Sequence, residues 1–471
     1  MIAIVCALLT AIGFYFSVGL GDQWWLAWIA PVPVLWFAFG RARAWPAFFV
    51  AFAASALGGA SILRAYSGSL PVPVLMLAIG GPALAFAASV MGARRVQRLV
   101  GPVAAMFAFA AIWTAFDFLS SFSRAGGSVA TPAASQVGAP LFIQTASLFG
   151  FLVITFLLGL VAAGIALSLR CRSPAPVALG LAFFAANAVY GYVRMAPPPG
   201  RTMRVALIDS NSMFGPTERY DRAKVFADID AYVAEIERLR DAHVSLVVLP
   251  ENIARVAPAW RSDAQAKLAA AANDVHATLV AGFDTYLDGA QRNVSWAFVP
   301  GSAQTVTYMK RRLVPVLETL VFTPGPGPVV LANGVGLEIC KDMDFERMIQ
   351  ADEAATHPEL LAVPAWDFGA DDWSHARVAV LRSVENGVPM ARSARDGLLT
   401  LNDRYGRIVA EARTRDGFRT LIGNLPLAGR GGGTLYDRIG DAFGWFAIAL
   451  SLLLFGWSFA PRRKNTAAGN P

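Results

Sequence analysis

"MRVALID" (Met203–Asp209), "AKVFADIDAYVAEIERLRDA" (Ala223–Ala242) and "VSLVVLP" (Val244–Pro250) follow one another near the middle of the chain. An apolar strand, a helix with apolar residues at helical spacing and a second apolar strand begin a layered α/β fold. A helix at "SDAQAKLAAAANDVHA" and strands at "TLVAGFDTY", "VSWAFVP" and "TVTYMKRRLVP" continue it. Strands at "GVGLEIC" and "ELLAVPA", a helix at "HARVAVLRSVENG", and strands at "PMARSA", "LLTLND" and "RIVAEA" complete the expected set. Extra strands of hairpin type sit among the alternating elements.

On either side the composition changes. The chain has 471 residues, 55% hydrophobic and 15% charged, with a net charge of +7. Residues 1–195 are almost wholly apolar, and "DAFGWFAIALSLLLFGWSFA" (Asp441–Ala460) precedes "PRRKN". A bilayer core takes about 20 apolar residues per helix. That length predicts seven spans before the α/β region, near 2–20, 23–40, 45–63, 71–92, 102–120, 138–168 and 175–193, and one after it, near 441–460. The domains expected are a seven-helix membrane domain (1–195), a soluble domain (202–426), a linker (427–440), a closing membrane helix (441–460) and a tail (461–471). Within the linker, "GRGGGT" (Gly429–Thr434) reads as a flexible tether. The first span lacks a basic leader and is followed at once by others, unlike a cleaved signal peptide.

Short-loop arginines and lysines set the orientation. Arg41, Arg43, Arg94, Arg95, Arg98, Arg170, Arg172, Arg462, Arg463 and Lys464 fall on one side of an eight-span arrangement, and only Arg64 and Arg124 on the other. The basic side is expected in the cytoplasm and the α/β domain outside, in the periplasm of a Gram-negative cell. The charge therefore reports topology. No basic face with interleaved aromatics suggests nucleic acid, and His243, His276, His357 and His375 lack metal-ligand spacing, so neither metal nor cofactor is expected. Asp117, near a span end, reads as an interfacial residue.

Three polar residues, Glu251, Lys310 and Cys340, stand at or just past the ends of apolar strands, where side chains converge in layered folds. Cys340 is the one cysteine far from any apolar span. An unpaired thiol outside the cytoplasm is either a buried core residue or a reactive one. With a carboxylate to take its proton and a cation to hold an oxyanion, it has what acyl transfer through a thiol requires.

The order "LPEN", "YMKRRLVP…E" and "GLEICKD" resembles the nitrilase, or carbon–nitrogen hydrolase, superfamily, and the flanking spans make the chain similar to its membrane-bound members, the apolipoprotein N-acyltransferases. Trp113, Asp117 and "QTASLFG" (Gln144–Gly150) fit the membrane half, and Asn293, His375, Arg382 and Glu385 fit later motifs. The resemblance implies a nitrilase-like α-β-β-α sandwich. It implies Glu251 as base, Cys340 as nucleophile, and Lys310 with the Lys341 backbone N–H at the oxyanion. Glu318 would support them electrostatically or help move protons, with Lys341 and Asp342 as further supporting residues. A phospholipid would donate its acyl chain, by way of a Cys340 thioester, to the α-amino group of a diacylglyceryl apolipoprotein. The protein would be a monomer in the bacterial inner membrane. "VLETLVFTPGPGP" (Val316–Pro328) is the expected mobile loop admitting the chains.

Lys341 and Asp342 replace the Tyr and Glu usual after the nucleophile, and "VPAWDFGADDW" departs from the usual "SNDAWFG". Lys341 either lowers the thiol's pKa by its charge or points to solvent, the favoured orientation. The alternatives are a membrane-tethered amidase or nitrilase acting on a small amide, an N-acyltransferase for another amine, and a catalytically idle scaffold.

Overall fold

A computed structural model describes residues 1–40, 43–68, 70–196, 200–211, 221–429 and 433–459. The first part is helical: α1 (Ile2–Ser17), α2 (Val32–Ala38), α3 (Ala44–Gly59), α4 (Leu63–Tyr66), α5 (Val72–Leu99), α6 (Pro102–Ser121), α7 (Ala146–Phe149), α8 (Leu152–Cys171) and α9 (Ala175–Arg194). Among the described residues five helices are long and apolar enough to cross a membrane: Ala44–Tyr66, Val72–Leu99, Pro102–Ser121, Leu152–Cys171 and Ala175–Arg194. The other expected spans are shorter apolar helices, Ile2–Ser17, Trp24–Ala38 and Ala442–Trp457.

The run expected at 138–168 is not one helix. A short turn at Pro140–Phe142 and α7 come before Gly150, whose φ of +72° ends the helix, and α8 begins only at Leu152. A side chain at Gly150 would lie 2.6 Å from the Tyr436 ring, so the break is packed against the far end of the chain. Asp117, four residues from the end of α6, is buried and accepts hydrogen bonds from Thr131 (2.8 Å) and Thr155 (2.7 Å).

The α/β part holds two sheets. Its strands are β1 (Thr202–Ser210), β2 (Leu246–Val248), β3 (Ala254–Val256), β4 (Thr278–Leu287), β5 (Ala290–Phe298), β6 (Thr305–Met309), β7 (Val329–Val330), β8 (Val335–Leu337), β9 (Leu360–Trp366), β10 (Met390–Arg395), β11 (Leu398–Asn402), β12 (Ile408–Arg413) and β13 (Phe418–Pro426). One sheet runs β13-β1-β2-β4-β5-β6 with β3 alongside β4; the other runs β12-β11-β10-β9-β8-β7. Each has a parallel centre, β1-β2-β4 and β8-β9-β10, and antiparallel flanks.

Alternation across a strand explains the layers. Val205 and Leu207 point into the core between the sheets with Val248, Leu337, Ala362 and Leu401. Ala206 and Ile208 point outward, under α10 (Arg222–Glu237) and α11 (Arg261–Asp274), which supply Ile229, Tyr232 and Leu268. The outer face of the second sheet is covered by α12 (Glu346–Thr356) and α13 (Asp372–Asn386). Ile349, Val380, Leu381 and Val384 there belong to the same apolar cluster as α6 and α8, so the sandwich rests on the apolar helices without a solvated gap. Polar contacts pin this junction: Arg377 donates to the Gly19 (2.5 Å) and Gly21 carbonyls, Phe151 N–H to Glu385 (2.6 Å), and Gln144 to the Tyr405 carbonyl (2.8 Å).

The element set is fuller than the sequence reading. Strands β3, β7 and β13 and helix α12 were not expected, and β13 pairs with β1 along nine residues. The supposed tether is structured from Gly433 on: Thr434 caps α14 (Leu435–Ile439), Tyr436 is buried, and α15 (Ala442–Trp457) follows. The expected tail 461–471, Arg41 and residues 430–432 lie outside the described residues.

One glycine ties this packing to the strand ends. A Cβ at Gly282 on β4 would sit 2.6 Å from Glu251 Cα and 2.7 Å from the Pro250 carbonyl oxygen. Gly282→Ala is expected to destabilise the protein by about 1–3 kcal/mol, as overpacking does. Thermal unfolding in detergent reads this out; an unchanged midpoint would show that the Pro250–Asn252 backbone yields freely.

Candidate functional site

Glu251 follows β2, Lys310 follows β6 and Cys340 follows β8. Glu251 and Cys340 lie past β2 and β8 in the parallel centres of the two sheets, and Lys310 lies past the antiparallel edge strand β6, so the three residues come together from both sheets at the sandwich rim. Glu251 is 2% exposed and Lys310 1%. Lys310 Nζ lies 2.7 Å from Glu251 Oε1 and 2.8 Å from Glu318 Oε2. Asn293 on β5 donates from Nδ2 to the same two carboxylates, at 2.5 Å and 2.9 Å. Burial disfavours the ammonium, but Glu251 and Glu318 outweigh it and hold the Lys310 pKa well above its ordinary value. Burial raises Glu251 above the usual carboxylate range, Lys310 opposing and Glu318 adding to the rise.

Cys340 opens a 3-10 turn, Cys340–Asp344, with φ +43°, a left-handed conformation that side chains other than glycine adopt at a cost. Asp342 holds the turn. Its Oδ2 accepts from Ile339 N–H (3.1 Å) and the Tyr308 hydroxyl (2.7 Å), and its Oδ1 from the backbone N–H groups of Arg311 (3.2 Å) and Arg312 (2.8 Å). That brace carries strand β8's end to the segment after Lys310. The thiol donates to the Trp366 carbonyl, 3.5 Å away. Burial pushes the Cys340 pKa well above its ordinary value; Glu251 adds to the rise and Lys310 opposes it.

One expectation is corrected. Lys341 does not point to solvent: Nζ pairs with Asp344 at 3.0 Å, beside the Phe345 ring. Asp342, expected as a supporting residue, accepts from backbone donors and the Tyr308 hydroxyl and so braces the loop. Glu318 touches Lys310 and also accepts from Val314 N–H (2.7 Å), closing the loop after Lys310.

A second buried ion pair was missed. Arg392 on β10 reaches Asp367 through both terminal nitrogens, at 2.9 Å and 2.5 Å, and both groups act electrostatically on the thiol. The available signal was a lone arginine in the strand "PMARSA" and the aspartate in "VPAWDFG". The site thus sets a thiol between two cation–carboxylate clusters, with a buried carboxylate able to receive a proton and a fixed ammonium able to oppose negative charge. Among the described residues no group of three or more His, Cys, Asp and Glu side chains could hold a metal ion.

Residues 7–164 match the family described as the apolipoprotein N-acyltransferase N-terminal domain. An apolipoprotein N-acyltransferase from Geobacter metallireducens is 25% identical, covering 99% of this chain and 96% of its own. One from Azotobacter vinelandii is 28% identical over 92% of this chain and 89% of its own. Among solved structures, an amidase from Nesterenkonia sp. aligns with 49% of this chain and 93% of its own, at 21% identity and a TM-score of 0.41. The chain is therefore related along nearly its whole length to the apolipoprotein N-acyltransferases.

Proposed function

We propose that the protein is a phospholipid-dependent N-acyltransferase that acts on the α-amino group of diacylglyceryl-cysteine in apolipoproteins through a thioester on Cys340. The observation that carries this is the Glu251–Lys310–Glu318 cluster beside a half-buried thiol, in a chain whose described residues include five helices long and apolar enough to cross a bilayer. Glu251 takes the thiol proton as Sγ attacks the ester carbonyl of the phospholipid. Lys310 and the Lys341 backbone N–H hold the oxyanion. The C–O bond breaks, the proton passes to the leaving oxygen, and a lysophospholipid departs. The amine then attacks the thioester, Glu251 takes a proton from nitrogen, and the thiol is restored. Glu318 keeps Lys310 charged throughout.

Placement at a lipid surface is supported by the loop after Lys310. Val316, Leu317, Leu320 and Val321 flank Glu318 with exposed side chains, Leu320 at 79%, and apolar residues so exposed mark a contact with lipid or another partner. We assign this loop to the outer face of the bacterial inner membrane, with 202–426 as the catalytic domain of a monomer between a membrane domain at 1–195 and the helix at 441–460.

The test is intact-mass analysis after incubation with phosphatidylethanolamine. An acyl-sized adduct is expected on the parent protein and none on Cys340→Ala. Glu251→Gln and Lys310→Met, which keep the side-chain volume, are expected to slow adduct formation by about 10²–10⁴-fold, a loss larger than the accompanying fall in thermal midpoint accounts for. Absence of any adduct, with ammonia released from small amides, would replace this reading with an amidase.

The thiol's environment adds a pH dependence. With the Cys340 pKa raised well above 9.0 by burial and Glu251, the thiolate fraction grows about tenfold per pH unit below that pKa. Iodoacetamide labelling of Cys340, followed by peptide mass, is expected to climb from pH 6 to 9 without levelling. A plateau below pH 8 would identify a resting thiolate instead.

A further inference from the structure

A polar cluster outside the proposed chemistry joins the two parts of the chain beside the thiol. Tyr66 ends the helical segment Ala44–Tyr66 and donates its hydroxyl to Asp371 Oδ2. His375 on α13 contacts the same oxygen through Nε2 at 2.9 Å, and its ring nitrogen lies 3.4 Å from the Tyr66 hydroxyl. The other oxygen of Asp371 accepts from Phe368 N–H at 3.1 Å. Asp371 is thus the knot of the turn 366–371, whose first carbonyl takes the Cys340 thiol and whose Asp367 holds Arg392.

Packing alone does not fix that turn. Beyond Trp366, whose ring lies against Arg395, the one large apolar side chain is Phe368, which is 41% exposed, its ring 5.9 Å from Tyr66 and 6.4 Å from His375. Gly369 takes a φ of +74°, and the turn's remaining polar ties run to Asp396 and Arg395 on the adjoining strand. We propose that Tyr66 and His375 are positioning residues: by clamping Asp371 they fix the Trp366 carbonyl and Asp367 against Cys340, so that the thiol is set for acyl transfer only when the helical part is docked. This rests on the reading of Cys340 as the nucleophile.

The charges surrounding His375 favour the clamp's cationic form. Burial works against the imidazolium, but Asp371, Asp344 and Asp367 outweigh it and raise the pKa to about 9. The ring therefore stays protonated through neutral pH, and the ionic part of its hold on Asp371 is lost only as the pH rises through that value. The docking itself does not depend on Tyr66, because Arg377, Gln144 and Glu385 join the two parts elsewhere.

The experiment uses the full chain in detergent with phosphatidylethanolamine, comparing Tyr66→Phe, His375→Ala and His375→Gln, the last retaining a donor toward Asp371. Tyr66→Phe and His375→Ala are expected to lower the saturating rate of Cys340 acylation about tenfold or more, with an unchanged lipid concentration for half-maximal rate, an unchanged thermal midpoint and a shifted pH profile of Cys340 alkylation by iodoacetamide. His375→Gln is expected to recover part of the rate. Alkylation profiles matching the parent in Tyr66→Phe and His375→Ala would overturn the proposal, as would rate losses that merely track a fall in thermal midpoint. If the parent protein forms no lipid adduct, the function proposed above fails, and the alkylation profiles alone then decide the positioning role.

Discussion

The buried Lys310 ammonium is the interaction on which the α/β part is organised. Removing an ammonium from water costs several kcal/mol even after relaxation, and carboxylates repay it only in close, fully hydrogen-bonded geometry. Glu251 and Glu318 supply that geometry from opposite sides, and Asn293 bridges them so that the two carboxylates are not left facing one another unshielded. The requirement reaches into the sheet. Glu251 can sit against β4 only where Gly282 presents no side chain, and the carbonyl of Asn293 receives the Lys310 N–H at 2.9 Å. An ion pair this demanding is weak support for stability, and a group that costs so much to bury is more readily understood as machinery.

The same economy of placement governs the junction with the apolar helices. In an isolated sandwich both outer helix layers would present a polar face to water. Here α13 is buried almost throughout, with Val380, Leu381 and Val384 in the apolar cluster that contains α6 and α8. Its polar residues are consequently engaged: Arg377 on backbone carbonyls of the first loop, Glu385 on the N-terminus of α8, His375 on Asp371. Glu385 is pushed up to about 7, chiefly by burial, with Arg382 opposing. A helix so placed couples any tilt of the helical part to the turn that follows β9, because that turn ends where α13 begins.

What was legible in the sequence follows from how strongly each feature departs from its surroundings. Glu251, Lys310 and Cys340 stood out because each stands at or just past the end of a strand, and strand ends in layered α/β folds are where such residues meet. Strand β13 escaped notice because its sequence, "FRTLIGNLP", alternates poorly and is half exposed along an outer edge; only pairing with β1 makes it a strand. Helix α12 is short and acidic, and Met348 and Ile349 reveal an apolar side only once the bundle is present. The broken run at 138–168 looked continuous because hydropathy registers composition, whereas Gly150 and the polar contacts of Gln144 depend on residues near 405 and 436. Asp367 and Arg392 are 25 residues apart, and Tyr66 and Asp371 are 305 apart; no local pattern announces either pair.

The turn at Cys340 shows how the site's acids cooperate. The Tyr308 hydroxyl lies 2.7 Å from both Glu338 Oε2 and Asp342 Oδ2, yet it carries one proton. Arg311 supplies the compensating charge: it donates to the Tyr308 hydroxyl at 3.1 Å and pairs with Glu338 at 2.8 Å. Burial and Asp342 push the Glu338 pKa up to about 8, with Arg311 opposing the rise. Asp342 keeps its negative charge, which the backbone N–H groups of Ile339, Arg311 and Arg312 satisfy. The left-handed backbone at Cys340 is therefore held by one carboxylate that accepts from three backbone amides, and Arg311, paired with Glu338 at 2.8 Å, sets a cation between the two neighbouring acids. The geometry of the nucleophile's turn and the charge balance at the end of the sheet are thus tied together through Asp342.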